Sequence, residues 1–479
     1  MKKKFITNLF FLLALNFLIK PFYILGIDAE IINRVGAESY GAYFSLFNFA
    51  FLFTIFLDLG INSYNTKNIA QNESLLSKYF SRLFSLKLFL VMVYLLFTLL
   101  AGLVWGYSKQ AIQLLLLLCF NQGLVALVMY LRSNLSAVQL FVKDSIISVL
   151  DRFLMILICS VLLWGNITEE PFKIEWFVYA QTVSYAISLV LALFWVWQKA
   201  SFINFRFNNL FSVAIIKQSL PYALLILLMT FYYKSDTIML EKMLEDGSRQ
   251  VGYYAQAYRF FEAGNMVAYL FSVLLLPIFS KMIKENENLE SLVGMSFKIM
   301  FSSALIVSVL CFQFGDNILE WRYNDLSEQS NILFSVLMFC FLCISTTYIF
   351  GTLLTANNDL RFLNVLAGTA VLINIGLNLV FIPKWQALGS AMASLITQLF
   401  VSLIQVLVSY KKFKFKQSVV GLLRAASFVI GVFTVAYFVH LYVLNWTLAI
   451  LVFVVLSFLF AFSIRMIPLK QMLLIIKTE

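Results

Sequence analysis

Runs of about twenty apolar residues, broken by short polar stretches, recur along nearly the whole chain. About twenty residues is the length a helix needs to cross hydrocarbon. Fourteen such runs are read, at approximately 5–27, 40–59, 83–105, 111–131, 146–165, 174–197, 219–239, 252–276, 292–314, 330–353, 362–382, 387–409, 419–439 and 444–464. A bilayer offers backbone groups no partner except each other, so each run closes its own hydrogen bonds as an α-helix. The alternation of a membrane β-barrel is absent. The pattern predicts an all-α, polytopic membrane protein of about fourteen transmembrane helices.

Composition agrees with the pattern. The chain is 62% hydrophobic and 17% aromatic with only 12% charged residues, far from the soluble average. Its net charge of +11 raises the question of nucleic acid, and the placement of that charge answers it. With the loops numbered alternately from the inside, Lys and Arg favour one side by about three to one, which predicts both termini in the cytoplasm. Lys2-Lys3-Lys4, the segment 199–217 and the group Lys411, Lys412, Lys414 and Lys416 mark the inner side. Asp28, Glu30, Glu169, Glu170, Asp316 and Glu320 fall in outer loops. A nucleic-acid-binding protein would gather its bases on one soluble face, so no nucleic acid partner is expected. Lys2-Lys3-Lys4 before an apolar run resembles a signal peptide, but Lys20-Pro21 stands where a small-residue cleavage site would. The run is therefore read as a spanning helix kinked at the proline.

The longest loop is about twenty residues, too short for a soluble domain, and no phosphate-binding G-x-x-x-x-G-K-[ST] occurs. Five cysteines, Cys119, Cys159, Cys311, Cys340 and Cys343, lie in apolar runs. The pair at 340 and 343 reads as packing rather than as metal or redox chemistry. Tyr40-Gly41-Ala42-Tyr43 opens the second run and Val251-Gly252-Tyr253-Tyr254 the eighth; Arg152-Phe153-Leu154 and Arg361-Phe362-Leu363 match at nearly the same offset. Six spans separate the copies, so both halves keep one orientation and are related by a pseudo-two-fold along the membrane normal. This gives bundles at 1–210 and 211–417, with two additional helices and a cytoplasmic tail at 418–479.

Ionisable groups within the membrane are functional candidates by default. Lys87, Lys298 and Asp58 lie near inner helix ends, where snorkelling or local pairing accounts for them. Lys20 lies about 22 Å into the first run at 1.5 Å per residue, and Lys234 and Arg259 lie at comparable depth in the seventh and eighth. A group of cations at one level of a wet cleft suits a phosphate or diphosphate. The alternative is local pairing, Lys234 with Asp236 and Arg259 with Glu262 one turn on. Tyr232, Tyr233, Tyr253, Tyr254 and Tyr258 surround these bases and would suit sugar rings, or form the ordinary interfacial belt. No catalytic set or cofactor motif is visible, and His440 has no companions for a metal or a triad.

The run Val35-Gly36-Ala37-Glu38-Ser39-Tyr40-Gly41-Ala42-Tyr43, then Asp58-Leu59-Gly60-Ile61-Asn62, resembles bacterial polysaccharide repeat-unit flippases of the multidrug/oligosaccharidyl-lipid/polysaccharide exporter (MOP) superfamily. So do Lys234-Ser235-Asp236-Thr237, Val251–Arg259 and Leu276-Pro277. The resemblance implies two six-helix bundles around a cationic cavity and alternating-access transport of an undecaprenyl-diphosphate-linked oligosaccharide, an O-antigen, capsule or exopolysaccharide unit. Lys20 and Arg259 would hold the diphosphate while the lipid tail stays in the bilayer. The implied partners are that lipid-linked saccharide and membrane lipids, for a monomer compatible with polysaccharide polymerase machinery. Two other readings remain open. One is a multidrug carrier of the same superfamily, which would want buried carboxylates. The other is a polysaccharide polymerase or membrane glycosyltransferase, which would want a long external loop.

Overall fold

The computed structural model describes residues 16, 18–62, 65–66, 69, 75–138, 140–165, 169–199, 209–416 and 419–467, without the side chains of 75, 77–79 and 209–222. Lys2-Lys3-Lys4, most of the first apolar run and the middle of the 199–217 segment lie outside the described residues. Thirteen α-helices and one π turn are present, with no strand among the described residues. Among the described residues, eleven helices are long and apolar enough to cross a membrane.

The π turn Tyr23–Asp28 leads directly into α1 (Ala29–Leu52), followed by the short α2 (Ile55–Asp58), α3 (Leu75–Val104), α4 (Lys109–Ala137), α5 (Phe141–Trp164) and α6 (Ile174–Trp197). Then come α7 (Asn209–Met243), α8 (Gly247–Lys284), α9 (Glu290–Arg322), α10 (Ser330–Ala356), α11 (Leu360–Phe413), α12 (Val419–Tyr442) and α13 (Trp446–Ser463). Two of the predicted runs share α11, which breaks at Gln386 (φ 50°) three residues after Pro383. The first two share the π turn and α1, which breaks at Gly36 with φ 82° and ψ 162°, a conformation that only glycine adopts without strain. The predicted kink at Pro21 takes another form: the helix runs through the proline and widens into the π turn behind it. The helix ends carry local signals. Ser108 accepts from the backbone N–H of Ala111 at the start of α4, and Asn445 accepts from Thr447 and Leu448 at the start of α13.

The chain divides into two compact units, residues 1–252 and 253–479. In the first, α3 shows how a membrane sorts side chains. Phe89, Met92, Leu96, Leu100 and Leu103 are exposed along one face, while Leu83, Lys87, Leu90, Tyr94 and Thr98 are buried along the other. The steps of three and four residues are those of one helix face each. Lipid rewards the apolar face, and the polar groups turn inward to find partners. Tyr94 donates to the Ala50 carbonyl (2.9 Å).

Lys87 departs from the snorkelling reading. Its side chain is fully buried, donates to the Leu57 carbonyl (2.9 Å) and forms an ion pair with Asp58. The chain turns back on itself after α2, bringing these groups over Lys87 and leaving the ammonium no path to the interface.

The first outer loop also differs from expectation. Residues 28–39 are helical apart from the break at Gly36. Asp28 is buried and accepts from the Tyr40 hydroxyl (2.9 Å), and Glu30 pairs with Arg34 (3.3 Å). Beyond that break α1 meets the start of α8 at two glycines, both in the first unit. A Cβ on Gly41 would stand 1.8 Å from the Ser248 carbonyl oxygen, and one on Gly252 would stand 2.0 Å from that of Ala37. These are the glycines that align in the proposed repeat.

In the second unit, 61% of the most apolar window of α10 is buried against 17% for α12, so α10 is core and α12 is peripheral. Phe428, Val432 and Ala436 of α12 and Ala449 and Phe453 of α13 pack on Leu305, Val309 and Phe314 of α9. Side-chain bonds join loops assigned to the same side of the membrane. Lys412 pairs with Asp359, and Glu290 accepts from the backbone of Lys416. At the other end Asn331 donates to Asp316 (2.8 Å). All five cysteines are buried and none is in a disulfide.

Two outcomes are expected. Lys87→Met, which strands Asp58 and a carbonyl, lowers stability by about 3 kcal/mol. Asp58→Asn added to it costs less than Asp58→Asn alone in thermal unfolding of the detergent-solubilised protein. Gly41→Leu forces α1 off the start of α8 and lowers the melting temperature, by the 1–3 kcal/mol typical of overpacking (about).

Candidate functional site

Helix pairing in the first unit decides where Lys20 lies. Asn16 donates to the Ser148 hydroxyl of α5 (3.1 Å), and Tyr23 lies under the Arg152 guanidinium, 4.9 Å from ring centroid to Cζ. Both helices therefore run in the same direction, as two odd-numbered spans should. Lys20 falls between these contacts. It is half-buried, and among the described residues it makes no hydrogen bond or ion pair. The charged groups that bear on it are, in order, Arg152, Asp151 and Arg132.

Arg152 is held by its neighbours. Its Nη1 donates to the Tyr185 hydroxyl of α6 (3.2 Å) and lies 3.3 Å from the Met155 sulfur, while Nε stands 3.9 Å from Asp151. Its guanidinium also lies 6.0 Å from the Tyr185 ring. Below it Arg132 and Asp144 close an ion pair at 2.7 Å. Sequence reasoning used Arg152 only as a repeat marker and missed its place beside Lys20. The available signal was a second base at mid-depth in an odd-numbered span.

Lys234 stands over the Phe51 ring at 5.6 Å, a cation–π position. Asp236 is buried two residues on. Tyr233 packs on the buried Tyr232 with ring centroids 4.5 Å apart. Helix α7 is fixed to α1 by Asn48 donating to Thr237 (3.0 Å) and Ser45 donating to Glu241 (2.7 Å). Tyr107, in the α3–α4 turn, donates to the same Glu241 oxygen (3.2 Å), and its ring carries Lys242 at 4.6 Å. Burial, then the adjacent carboxylate, pushes the Tyr107 phenol well above its ordinary range. At the opposite extreme of burial, the exposed Glu170 is held below the usual carboxylate range by its hydrogen bond from Lys173 (2.6 Å).

In the second unit the buried Arg259 forms an ion pair with Glu262, three residues on. The local-pairing alternative is thus realised for Arg259. Tyr258 stacks on Tyr254 (5.8 Å, 23°) and touches Phe261 (5.1 Å). Tyr253 donates to Asp325 (3.3 Å), and Gln256 donates to the Asp325 carbonyl (2.8 Å). Tyr232, Tyr253, Tyr254 and Tyr258 are all buried. The belt reading fails for these four, because a belt tyrosine keeps its ring at the lipid headgroups.

This geometry, long apolar helices with inward polar faces and bases held among tyrosines, is that of a multi-pass membrane protein. Its fold is shared with MOP-superfamily transporters. The lipid II flippase MurJ in an inward closed conformation superposes with a TM-score of 0.71 at 14% identity, over 95% of this chain and 98% of that one. An inward-facing multidrug resistance MATE family transporter gives 0.66 at 15% identity, over 82% and 94%. A MOP superfamily transporter from Pyrococcus furiosus, described as having a binding pocket of reverse polarity, gives 0.59 at 15%, over 84% and 95%. No curated protein sequence matches the chain. Residues 7–283 match the family described as polysaccharide biosynthesis protein, and the chain belongs to that family.

Glu262→Gln leaves the Arg259 guanidinium without its ion pair. It is expected to lower stability by about 1–2 kcal/mol in detergent unfolding, an ion-pair cost discounted for a glutamate that is partly open to solvent.

Proposed function

We propose that this protein is a flippase that moves a polyprenyl-diphosphate-linked oligosaccharide from the inner to the outer leaflet by alternating access. The observation that carries the reading is Lys20. A half-buried ammonium with no hydrogen bond or ion pair among the described residues is costly in a membrane protein unless a ligand uses it. In a polysaccharide biosynthesis family the fitting ligand is anionic and sugar-bearing. The likeness to the lipid II flippase supports the reading, since its 95% coverage leaves too few residues over to omit the last two helices. The polyprenyl tail would remain in the bilayer while the glycan crosses among polar side chains.

The substrate-binding residues in this reading are Lys20, Lys234, Asp236 and Tyr233 of the first unit and Arg259, Glu262 and Tyr258 of the second. The reading takes the chain as six-helix bundles at 1–210 and 211–417, with 418–479 appended and both termini cytoplasmic. Arg259 holds its carboxylate until the diphosphate displaces it. No cofactor takes part, and the protein is a carrier rather than an enzyme.

The multidrug alternative draws on the fold shared with a MATE transporter. A deletion strain separates the two. Loss of a surface polysaccharide with unchanged drug susceptibility supports the flippase, and drug hypersensitivity with normal polysaccharide supports the efflux carrier. Lys20→Ala and Arg259→Ala, expressed in that strain and found inserted, are each expected to restore under one tenth of the polysaccharide that the wild-type chain restores. Full restoration by both rejects the site.

A further inference from the structure

We propose that Lys20 and Arg152 form a two-cation seat for a phosphate or diphosphate group within the first unit, with Tyr23 and Tyr185 aiming the guanidinium. The inference rests on the flippase reading and deepens it, naming a base that the sequence did not offer as a site residue.

The argument is an inventory of donors. A guanidinium carries five N–H groups in a planar fork, and an ammonium carries three. Of the Arg152 fork, Nη1 is engaged by the Tyr185 hydroxyl and the Met155 sulfur. Nε faces Asp151 at 3.9 Å, beyond hydrogen-bond reach. Among the described residues Nη2 has no partner, and 30% of the side chain is open to solvent. The neighbouring Lys20 has no partner either. Among the described residues, Nη2 of Arg152 and the Lys20 ammonium thus have no protein acceptor.

Local charge leaves them in excess. The charged groups that bear on Lys20 are Arg152, Asp151 and Arg132, and Arg132 is closed by Asp144. Of those groups, that leaves Lys20 and Arg152 against Asp151. Like charges side by side are unfavourable, and an anion of charge two or more relieves them.

The surroundings hold the pair in place. The guanidinium lies between the Tyr23 and Tyr185 rings, at 4.9 Å and 6.0 Å, in cation–π contact. Arg152 lies eleven residues from the start of α5, about 16 Å along the helix axis. A diphosphate at that depth could stay attached to a tail lying in hydrocarbon.

The experiment titrates the purified full chain in detergent with a polyprenyl diphosphate, the polyprenol of equal length, and inorganic pyrophosphate, following both affinity and thermal stabilisation. The wild-type chain is expected to bind the lipid diphosphate at least tenfold more tightly than the alcohol. Lys20→Ala and Arg152→Ala each weaken the diphosphate by about tenfold or more and leave the alcohol unchanged. Should Arg152→Ala not fold, Arg152→Lys and Tyr185→Phe carry the test: both keep the positive charge, lose the fork or its aim, and weaken the diphosphate severalfold with the alcohol again unchanged. Pyrophosphate competing with the lipid and lost in the same variants supports the seat and assigns it to the headgroup. Pyrophosphate that binds without displacing the lipid overturns the assignment to this ligand. Wild-type diphosphate affinity in every Arg152 variant, with loss in Lys20→Ala, overturns the seat while the flippase reading stands. A wild-type chain that does not distinguish diphosphate from alcohol overturns both.

Discussion

A bilayer gives a polar group no water, and most of this structure follows from that condition. Each long helix closes its backbone on itself, and each buried side-chain donor then needs a partner on another helix. Tyr94 reaches the Ala50 carbonyl, Lys87 takes the Leu57 carbonyl with Asp58, Asn48 takes Thr237, and Asn16 takes Ser148. With lipid as apolar as leucine, burying leucine gives little incentive for helices to associate. Close packing and these polar contacts do more of the work. The molecule is accordingly apolar outside and selectively polar within, as the two faces of α3 show.

Against that background the unsatisfied donors are informative. Lys87 and Lys20 are both lysines in apolar runs, and they end in opposite circumstances. One is closed by a carboxylate and a carbonyl brought over it by the turn after α2. The other has only another cation as its strongest charged neighbour. Arg152 is intermediate: tyrosines hold it and one edge is left open. Arg259 is closed by Glu262, so in this state it has less positive charge to offer than Lys20. In the proposed flippase, a guanidinium that exchanges one anionic partner for another would suit release as well as binding.

The tyrosines extend the same point. Tyrosine suits two settings in a membrane protein, the headgroup interface and a buried site where the hydroxyl finds an acceptor. Tyr40, Tyr94 and Tyr253 take the second course, each donating to a named group on another residue, while the buried Tyr185 hydroxyl accepts from Arg152.

The apolar runs alone determined the helical, multi-pass class, because hydrocarbon thickness and backbone hydrogen bonding depend on local sequence only. The candidate bases Lys20, Lys234 and Arg259 were conspicuous for the same reason, each being a charge within an apolar run. Partnership was not legible. Whether Lys87 snorkels or is buried, whether Asp28 lies in a loop or under Tyr40, and whether Lys20 stands beside Lys234 or Arg152 depend on which helices pack together and in what register. In a membrane those choices rest on small residues such as Gly41 and Gly252, and on polar contacts between residues far apart in the chain. They leave no periodic trace in the sequence, so only the tertiary structure decided them.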